Sequence, residues 1–419
     1  MKSRLFYYLI KTLTLPISFL PLKVVRFIGK IGGSLAYLFL KEFRKTALSN
    51  LALAKPLSLS HKELIKTARG SFINLAINIL EYAYLDRKKN LHNLFTCHNF
   101  APAQKLAEQK KGIIFFCGHQ SNWEVLFLHG NLHMQGVAIG KPIKNPYLYQ
   151  WIVSIREKTG GKIIEPKKAL KEGLRALKKG LFMGILADQG MPNSTFSHQF
   201  MGRMAWSTTA PALLSYKTGC PIIVATTKRS SKGYDITYSD PIYPNNENSL
   251  DNEVDRLMGI CFSKFESSII KNPKEWLWLH NRWKQQTPKN IYKPYRKDAL
   301  AIILPEDQNI LNKVLPDLNL FKQLYPYESL FVFAPKKLQK KIHLNADEII
   351  FYKSQSELFR KDFRFKLIFN FTDNKKIEKY YKKLAATTIV EKEKLVTSSS
   401  FSKQLVKLIC RHPEEILHA

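Results

Sequence analysis

A histidine and a glutamate five residues apart have the types and spacing that suit acid–base chemistry. His119 follows an apolar run, Gly112 to Cys117, and Glu124 comes just before a second apolar segment, Val125 to Leu132. This pattern predicts a buried strand, a tight turn and a helix. Residues five apart on one helix would lie on different faces, so the two side chains can meet only if His119 sits in the turn and folds back. If they do meet, Glu124 can hold His119 as a general base with a fixed orientation.

The same stretch also has a purely structural interpretation. Ser121 or Asn122 can cap the helix, because each side chain can accept from a free backbone N–H of the first turn. Glu124 then lies where the helix dipole favours a negative charge. Under this interpretation His119 is an ordinary surface histidine.

A hydrolytic zinc site is a third interpretation. His129 and His133 are four residues apart and could face one metal ion from a single helical turn, with His119 and Glu124 nearby in sequence. However, the predicted helix places Glu124 near its opposite end, and the sequence contains no His-Glu-x-x-His pattern. We therefore expect no metal and no other cofactor.

Strands that alternate with helices must position these residues. Further buried strands are predicted from short apolar runs at residues 137–140, 162–164, 181–187 and 221–226. Strands alternating with helices predict an α/β fold with a mixed or parallel sheet flanked by helices. Polar residues at strand ends tend to line the ligand crevice of such sheets. Asp188, directly after the 181–187 run, is therefore a second candidate beside His119, although it could also be a simple turn residue.

Arg156 lies near the end of a predicted amphipathic helix, Tyr147 to Lys158. Its position alone predicts a solvated charge that complements the helix C-terminus.

Five stretches in order along the chain resemble the late acyltransferases of bacterial lipid A biosynthesis, of the lauroyl/myristoyl type. The stretches are Arg44–Leu51, Cys117–Glu124, Asn145–Gly160, Gly184–Gln189 and Trp278–Lys284. The second is similar to the His-x4-Asp/Glu motif of glycerolipid-type acyltransferases. The resemblance covers roughly residues 1–290.

This resemblance implies a glycerolipid-acyltransferase-like fold with His119 and Glu124 as catalytic residues and Arg156 and Asp188 at the substrate. It also implies an acyl-carrier-protein thioester as donor and a Kdo-bearing lipid A precursor as acceptor. An acyl-CoA-dependent enzyme acting on a phospholipid or glycolipid is the alternative activity. A catalytically inactive membrane adaptor of the same fold is a further alternative, against which the presence of all four polar residues argues.

Domain boundaries are predicted from shifts in composition. Residues 1–40 are apolar and aromatic but interrupted by lysines, arginines and two prolines, which predicts membrane-associated helices lying in the interface. The resemblance leaves a short, lysine-flanked membrane span open, and an ordinary core-facing hairpin of helices is the structural alternative. Residues 41–290 form the predicted acyltransferase domain. A proline-containing, charged segment at 285–297 marks a boundary, and residues 298–419 predict a small C-terminal α/β domain of unknown role. Its predicted strands are residues 299–304, 330–333, 348–352 and 365–370, with a helix near 310–324 and a terminal helix at 401–410.

The chain is strongly basic, with 66 Lys and Arg against 33 Asp and Glu and a formal net charge of +33. Such a charge favours anionic partners. The basic residues are scattered and form no recognised nucleic-acid-binding module, so we expect an anionic membrane surface rather than nucleic acid. The partners that the resemblance implies, acyl-carrier protein and a lipid A precursor, are both acidic and fit this charge. The resemblance also implies a location at the cytoplasmic face of the bacterial inner membrane.

Five cysteines without a Cys-x-x-Cys spacing argue against a disulfide framework or a structural zinc site and suit a reducing cytosol. Three tryptophans near residue 280, Trp276, Trp278 and Trp283, suggest either a membrane-interface belt or packed core aromatics.

Overall fold

The computed structural model describes residues 2–342, 344–396 and 400–417 of the chain. Within these residues the chain forms two compact units. The first consists of Met1–Phe39 and Lys66–Leu279, and the second of Leu40–Ile65 and His280–Ala419. The second unit thus includes a segment that the sequence analysis assigned to the acyltransferase domain.

The α-helices are α1 (Lys2–Phe19), α2 (Leu22–Phe39), α3 (Lys41–Leu53), α4 (His61–Arg87), α5 (Ala101–Glu108), α6 (Glu124–His133), α7 (Pro146–Arg156), α8 (Ala169–Lys178), α9 (Ala210–Thr218), α10 (Leu250–Lys271), α11 (Gln308–Val314), α12 (Leu320–Leu324), α13 (Lys376–Lys383), α14 (Phe401–Ile409) and α15 (Glu414–Leu417). The strands are β1 (Phe95–His98), β2 (Ile113–Cys117), β3 (Gly136–Ile139), β4 (Lys162–Ile164), β5 (Phe182–Leu186), β6 (Ser197–Phe200), β7 (Arg203–Trp206), β8 (Ile222–Arg229), β9 (Tyr234–Tyr238), β10 (Ala299–Ile303), β11 (Ser329–Pro335), β12 (Glu348–Tyr352), β13 (Leu367–Asn370) and β14 (Thr388–Glu391).

A seven-stranded sheet organises the first unit, with the strand order β1-β9-β8-β2-β5-β3-β4. Only β8 and β9 pair antiparallel; the other neighbouring strands are parallel, so the sheet is mixed as predicted. All five predicted strands of this region are confirmed. β1 and β9, whose sequences are shorter or more polar, were not predicted.

The centre of this sheet places the candidate site. All five residues of β2 are buried, as expected for a central strand covered on both faces. β2 pairs parallel with β5 so that Cys117 lies opposite Leu186. The turns that follow these two residues, carrying His119 and Asp188, therefore leave the sheet side by side.

The N-terminal segment forms α1 and α2. α1 continues through Pro16, and the chain breaks only at the turn that contains Pro21. Large apolar side chains on both helices are exposed, for example Leu5, Phe27 and Phe39 at 72%, 61% and 76%. No helix within the described residues combines the length and the apolar character that crossing a bilayer requires.

The second unit contains an all-parallel five-stranded sheet in the order β12-β11-β10-β13-β14. Alternate residues of β10 enter two different apolar clusters, one on each face of the sheet. The four predicted strands and the terminal helix are confirmed. The helix predicted near residues 310–324 is instead divided into α11 and α12 by a short 3-10 turn at Leu315–Asp317, because Pro316 lacks the N–H that a continuous α-helix needs.

The membrane-belt interpretation of the three tryptophans is wrong. Trp276 and Trp278 are buried in the first unit, with ring centroids 4.5 Å apart and edge-to-face. Trp283 is buried in the second unit. These residues fill cores, which is the alternative that the sequence left open.

Candidate active site

His119 is held by Asp188. The Nδ1 atom of His119 lies 2.7 Å from Oδ1 of Asp188, and the backbone N–H of His119 donates to Oδ2 at 2.8 Å. The indole Nε1 of Trp276 donates to the same Oδ2 at 2.7 Å. Because both carboxylate oxygens accept hydrogen bonds, the orientation of the carboxylate is fixed, and so is that of the imidazole ring.

This contact defines the tautomer of the histidine. A carboxylate can only accept, so Nδ1 carries the proton and Nε2 presents its lone pair. The side-chain amide Nε2 of Gln189 lies 3.1 Å from that atom and can donate to it. Gln189 is exposed, whereas the His119 side chain is 12% exposed and Asp188 is buried. The basic atom of His119 is thus the one directed towards the accessible side of the site.

Asp188 stays ionised in this environment. Burial by itself would raise the pKa of Asp188, but His119 and Trp276 outweigh it and lower the pKa to about 2. A negative charge behind Nδ1 stabilises the imidazolium that forms when Nε2 accepts a proton.

Glu124 pairs with Arg156 and not with His119. Its two carboxylate oxygens accept from Nη2 and Nε of Arg156, both at 2.6 Å, in a bidentate arrangement. Trp123 Nε1 also donates to Glu124 at 2.9 Å. Burial acts to raise the pKa of Glu124, but the guanidinium of Arg156 overcomes it, so the pKa lies below its ordinary value.

The predicted contact between Glu124 and His119 is therefore wrong in this structure. Glu124 is the first residue of α6, with its side chain turned to α7, while His119 sits in the turn above the end of β2. The ring of Trp123 packs edge-on against His119 at 4.8 Å and hydrogen-bonds Glu124, so an indole connects the two side chains. The carboxylate that the sequence analysis assigned to substrate, Asp188, makes the contact that was predicted for Glu124.

The solvated interpretation of Arg156 is also wrong, because its side chain is only 20% exposed. Tyr82 accepts from its Nη2 at 3.3 Å, beside the pair with Glu124. Sequence reasoning gave no roles to Trp123, Gln189 and Trp276. The available signals were the positions of Trp123 beside Glu124 and of Gln189 beside Asp188.

A narrow apolar cavity begins at Trp123, Glu124 and Arg156. It offers about 60 Å³ to the centres of water-sized molecules, within about 610 Å³ of empty space that is partly open to solvent. Trp123, Glu124 and Arg156 line one part of it. Side chains from the sheet and α6 line the rest, namely Phe115, Cys117, Leu126, Phe127, Ala138, Ile139, Ile163, Phe182, Gly184, Ile185, Leu186, Ala225 and Tyr238. This enclosure suits a hydrocarbon chain.

The histidines of the zinc interpretation lie elsewhere. His129 bonds to the Tyr238 hydroxyl at 2.8 Å and to Cys97 Sγ at 3.0 Å, and its ring lies 4.7 Å from that of His133. Among the residues that the structure describes, no group of three or more His, Cys, Asp or Glu side chains could hold a metal ion. The geometry thus separates the His119 site from these histidines.

The backbone N–H groups at the start of the turn after β2 are engaged and so are not donors for an oxyanion. Those of His119, Gln120 and Ser121 donate to Asp188, the Gly118 carbonyl and the Glu275 carbonyl, respectively. The side-chain amide of Gln189 is the donor that lies next to His119 Nε2 and is exposed.

Comparison with known proteins points to the same chemistry. The family model described as bacterial lipid A biosynthesis acyltransferase matches residues 2–285. The chain is 24% identical over 273 residues to the lipid A biosynthesis palmitoleoyltransferase of Escherichia coli (strain K12), covering 63% of this chain and 86% of that protein. It is similar to the same extent to the lipid A biosynthesis acyltransferase of Shigella flexneri. The chain therefore belongs to the bacterial lipid A biosynthesis acyltransferase family.

Proposed function

We propose that the protein transfers a fatty acyl chain from an acyl-carrier-protein thioester to a hydroxyl of a Kdo-bearing lipid A precursor at the cytoplasmic face of the inner membrane. The observation that carries this proposal is a His119–Asp188 pair beside an apolar cavity. Membership of the lipid A acyltransferase family supports the reaction class. The donor and the acceptor are proposals.

His119 is the general base of the proposed reaction. Nε2 takes the proton of the acceptor hydroxyl as its oxygen attacks the thioester carbonyl carbon, and Asp188 stabilises the imidazolium. The tetrahedral intermediate then expels the thiolate, which receives the proton from Nε2. An ester and a free thiol result, and no covalent enzyme intermediate is needed. Gln189 must move from Nε2 to admit the hydroxyl, and its amide then lies close enough to donate to the oxyanion.

Glu124 and Arg156 act at the mouth of the cavity rather than on His119. Glu124 occupies Nε and Nη2 of Arg156, so the bidentate pair fixes the guanidinium plane. We propose that Nη1, at the edge of the guanidinium that Glu124 leaves open, contacts an oxygen of the substrate. The acyl chain of the donor lies in the cavity, where burial of each methylene contributes about 0.8 kcal/mol.

A basic groove of the first unit supports an anionic donor. The groove has about 1150 Å³ of space open to solvent, with Lys228, Lys264 and Lys271 among its lining residues. It lies close to the catalytic turn, since Ser268 in its wall bonds to Gln120, the residue after His119. Three lysines there suit the acidic surface of acyl-carrier protein.

The N-terminal helices support membrane association. Exposed apolar residues of α1 and α2 include Leu9, Leu13, Phe19, Phe27, Ile31 and Leu35. A patch of this kind on a helical hairpin that also carries lysines and arginines suits insertion into the membrane interface.

The test incubates purified protein with labelled acyl-carrier-protein thioester and a Kdo-bearing lipid A precursor in detergent micelles. We expect label in the lipid with wild type, none above background with His119→Ala, and wild-type transfer with Arg175→Ala, which breaks an exposed ion pair on α8. Transfer by His119→Ala at a near-normal rate would refute the mechanism. Transfer from acyl-CoA to a phospholipid, with none to the lipid A precursor, would refute the proposed substrates but not the base.

A further inference from the structure

Three polar residues on one face of α4 are buried. Asn74, Asn78 and Glu81 are spaced four and three residues apart and are exposed by 3%, 3% and 0%. This spacing aligns them along one side of a helix. Buried polar groups are retained only when they are hydrogen-bonded, so their partners show what the stripe does.

The two asparagines bind the turn that follows His119. Asn78 Nδ2 donates to the Ser121 carbonyl at 2.6 Å, and Asn74 Nδ2 donates to the Glu275 carbonyl at 2.8 Å. The Ser121 N–H donates to that same Glu275 carbonyl. Ser121 has a φ of +50°, a left-handed conformation that costs a serine about 1 kcal/mol or more and persists only when its surroundings hold it.

Glu81 binds the next residue of the turn. Its Oε2 accepts from Asn122 Nδ2 at 2.9 Å, while Asn122 Oδ1 accepts from the backbone N–H of Glu124 at 3.2 Å. The Asn122 side chain therefore links Glu81 to the first residue of α6. In this way the stripe fixes the start of the helix that presents Glu124 to Arg156.

Two arginines neutralise the buried carboxylate. Arg26 of α2 donates through Nε to Oε1 of Glu81 at 2.9 Å, and Arg229 Nη2 lies 3.3 Å from Oε2. Arg229 also bonds to the side chains of Asn74 and Asn78. Burial alone would raise the pKa of Glu81, but Arg229 and Arg26 outweigh it and lower the pKa. Glu81 is therefore a fixed negative charge rather than a proton donor.

We infer that Asn78 and Glu81 are positioning residues for acyl transfer, acting through Ser121 and Asn122 to fix the catalytic turn between His119 and Glu124. Neither residue lines the apolar cavity. They set the distance between the His119–Asp188 pair and the Glu124–Arg156 pair, because the turn they hold connects His119 directly to the start of α6. The inference rests on the proposed function, in which His119 is the base.

A polarity swap across the Glu81–Asn122 contact tests this inference. Asn122→Asp brings two carboxylates together and loses the hydrogen bond, and Glu81→Gln weakens it, because one amide oxygen must then serve Asn122, Arg26 and Arg229 in place of two carboxylate oxygens. The double variant restores it with the donor and acceptor exchanged. Asn78→Ala removes the Ser121 contact independently and also decides the case if Glu81→Gln does not fold. Asn131→Ala is the matched control, because this buried asparagine bonds to Phe127 and Gly136 at the far end of α6.

The measurements are kcat and KM for acyl-carrier-protein thioester. Each kcat is divided by the folded fraction of the variant, which calorimetry measures. We expect each single variant, and Asn78→Ala, to lose kcat by at least about tenfold with KM changed less than about threefold, because small displacements of a catalytic group cost rate rather than binding. The double variant should recover to within about threefold of wild type. Asn131→Ala should lose thermal stability but keep kcat.

The outcomes separate this inference from the proposed function. Single variants that keep wild-type kcat per folded molecule, while His119→Ala is inactive, would overturn the inference and leave the function intact. A double variant as slow as the singles would also overturn it. No transfer by folded wild-type protein would refute the proposed function and the inference together.

Discussion

The two ends of helix α6 each have a histidine nearby, but the surroundings differ in charge. At the N-terminal end, His119 contacts the Asp188 carboxylate, whose pKa is lowered to about 2. At the C-terminal end, His129 contacts a phenol and a thiol, and burial together with His133 and His92 lowers its pKa to about 3. A histidine with an ionised carboxylate behind it can accept a proton, whereas one in uncharged surroundings stays neutral. The residue type alone therefore does not distinguish the proposed general base, His119, from a structural histidine such as His129.

The N-terminal end holds a second contrast, between its two carboxylates. Asp188 is paired with an imidazole, which can gain and lose a proton, and Glu124 with a guanidinium, which stays charged. Only the first pair can take part in a proton-transfer cycle. The second is a fixed ion pair.

The largest expected effect comes from exchanging these carboxylates for amides. Asp188→Asn should lower kcat by about 10³-fold, because an amide cannot stabilise the imidazolium or fix the Nδ1–H tautomer. Glu124→Gln should lower kcat by about tenfold or less and leave the pH dependence of kcat/KM unchanged, because it does not contact His119. Steady-state rates from pH 5 to 9 check both variants. A larger loss of kcat for Glu124→Gln than for Asp188→Asn would support the His119–Glu124 pair predicted from sequence.

The fixed pair should show its importance in stability. Arg156→Leu leaves the Glu124 carboxylate buried without its cation, which should lower the free energy of unfolding by about 3 kcal/mol. Arg175→Ala, which breaks an exposed ion pair with Glu172, should change it by less than about 1 kcal/mol. Urea unfolding measures both. Equal, small changes would mean that the Glu124–Arg156 pair is not a structural element.

The histidine at the C-terminal end predicts a pH dependence of stability. His129 has an ordinary pKa of 6.5 when unfolded and a pKa of about 3 in the folded protein, so between these values the unfolded chain binds the extra proton. The free energy of unfolding should therefore fall as the pH falls below 6.5. The contribution of His129 to this fall is about 2 kcal/mol between pH 7 and pH 5.

His129→Gln should lack this contribution, so the difference in unfolding free energy between variant and wild type should shift by that amount over the same range. Urea unfolding at pH 7, 6 and 5 checks it. Parallel curves for the two proteins would show that His129 takes up its proton equally in the folded and unfolded states, and the contrast with His119 would disappear.

The smallest expected effect concerns the cavity beside α6. A Cβ at Gly184 would have its nearest neighbour, Ala138 Cβ, at 3.7 Å, so a side chain can enter the cavity without displacing the sheet. Gly184→Val should lower kcat/KM for the longest accepted acyl donor by about tenfold relative to donors shorter by two to four carbons, since the space for about two methylenes is lost. Gly184→Ala should show a weaker change of the same kind. An unchanged chain-length profile in both variants would place the acyl chain elsewhere.

Much of the fold could be predicted from local patterns. Apolar runs such as Ile113–Cys117 and Ala299–Ile303 predict strands buried on both faces, and both occur as central strands. β1, with its alternating burial and polar residues, gave no comparable signal. Residues 41–65 were predicted to belong to the acyltransferase domain; in the structure Leu40–Ile65 lies in the second unit, where Ser49 bonds to the Arg364 carbonyl.

By itself, the sequence determined that His119 and Asp188 each follow a buried strand and that Glu124 starts a helix, because periodicity and turn residues act over a few positions. Only the tertiary structure decided which carboxylate reaches the histidine. The order of strands in the sheet places the end of β2 beside the end of β5, 69 residues away, and this proximity pairs His119 with Asp188. Five residues of sequence separation place Glu124 closer along the chain, but the turn held by Asn78 and Glu81 and the position of Arg156 on α7 direct its carboxylate elsewhere.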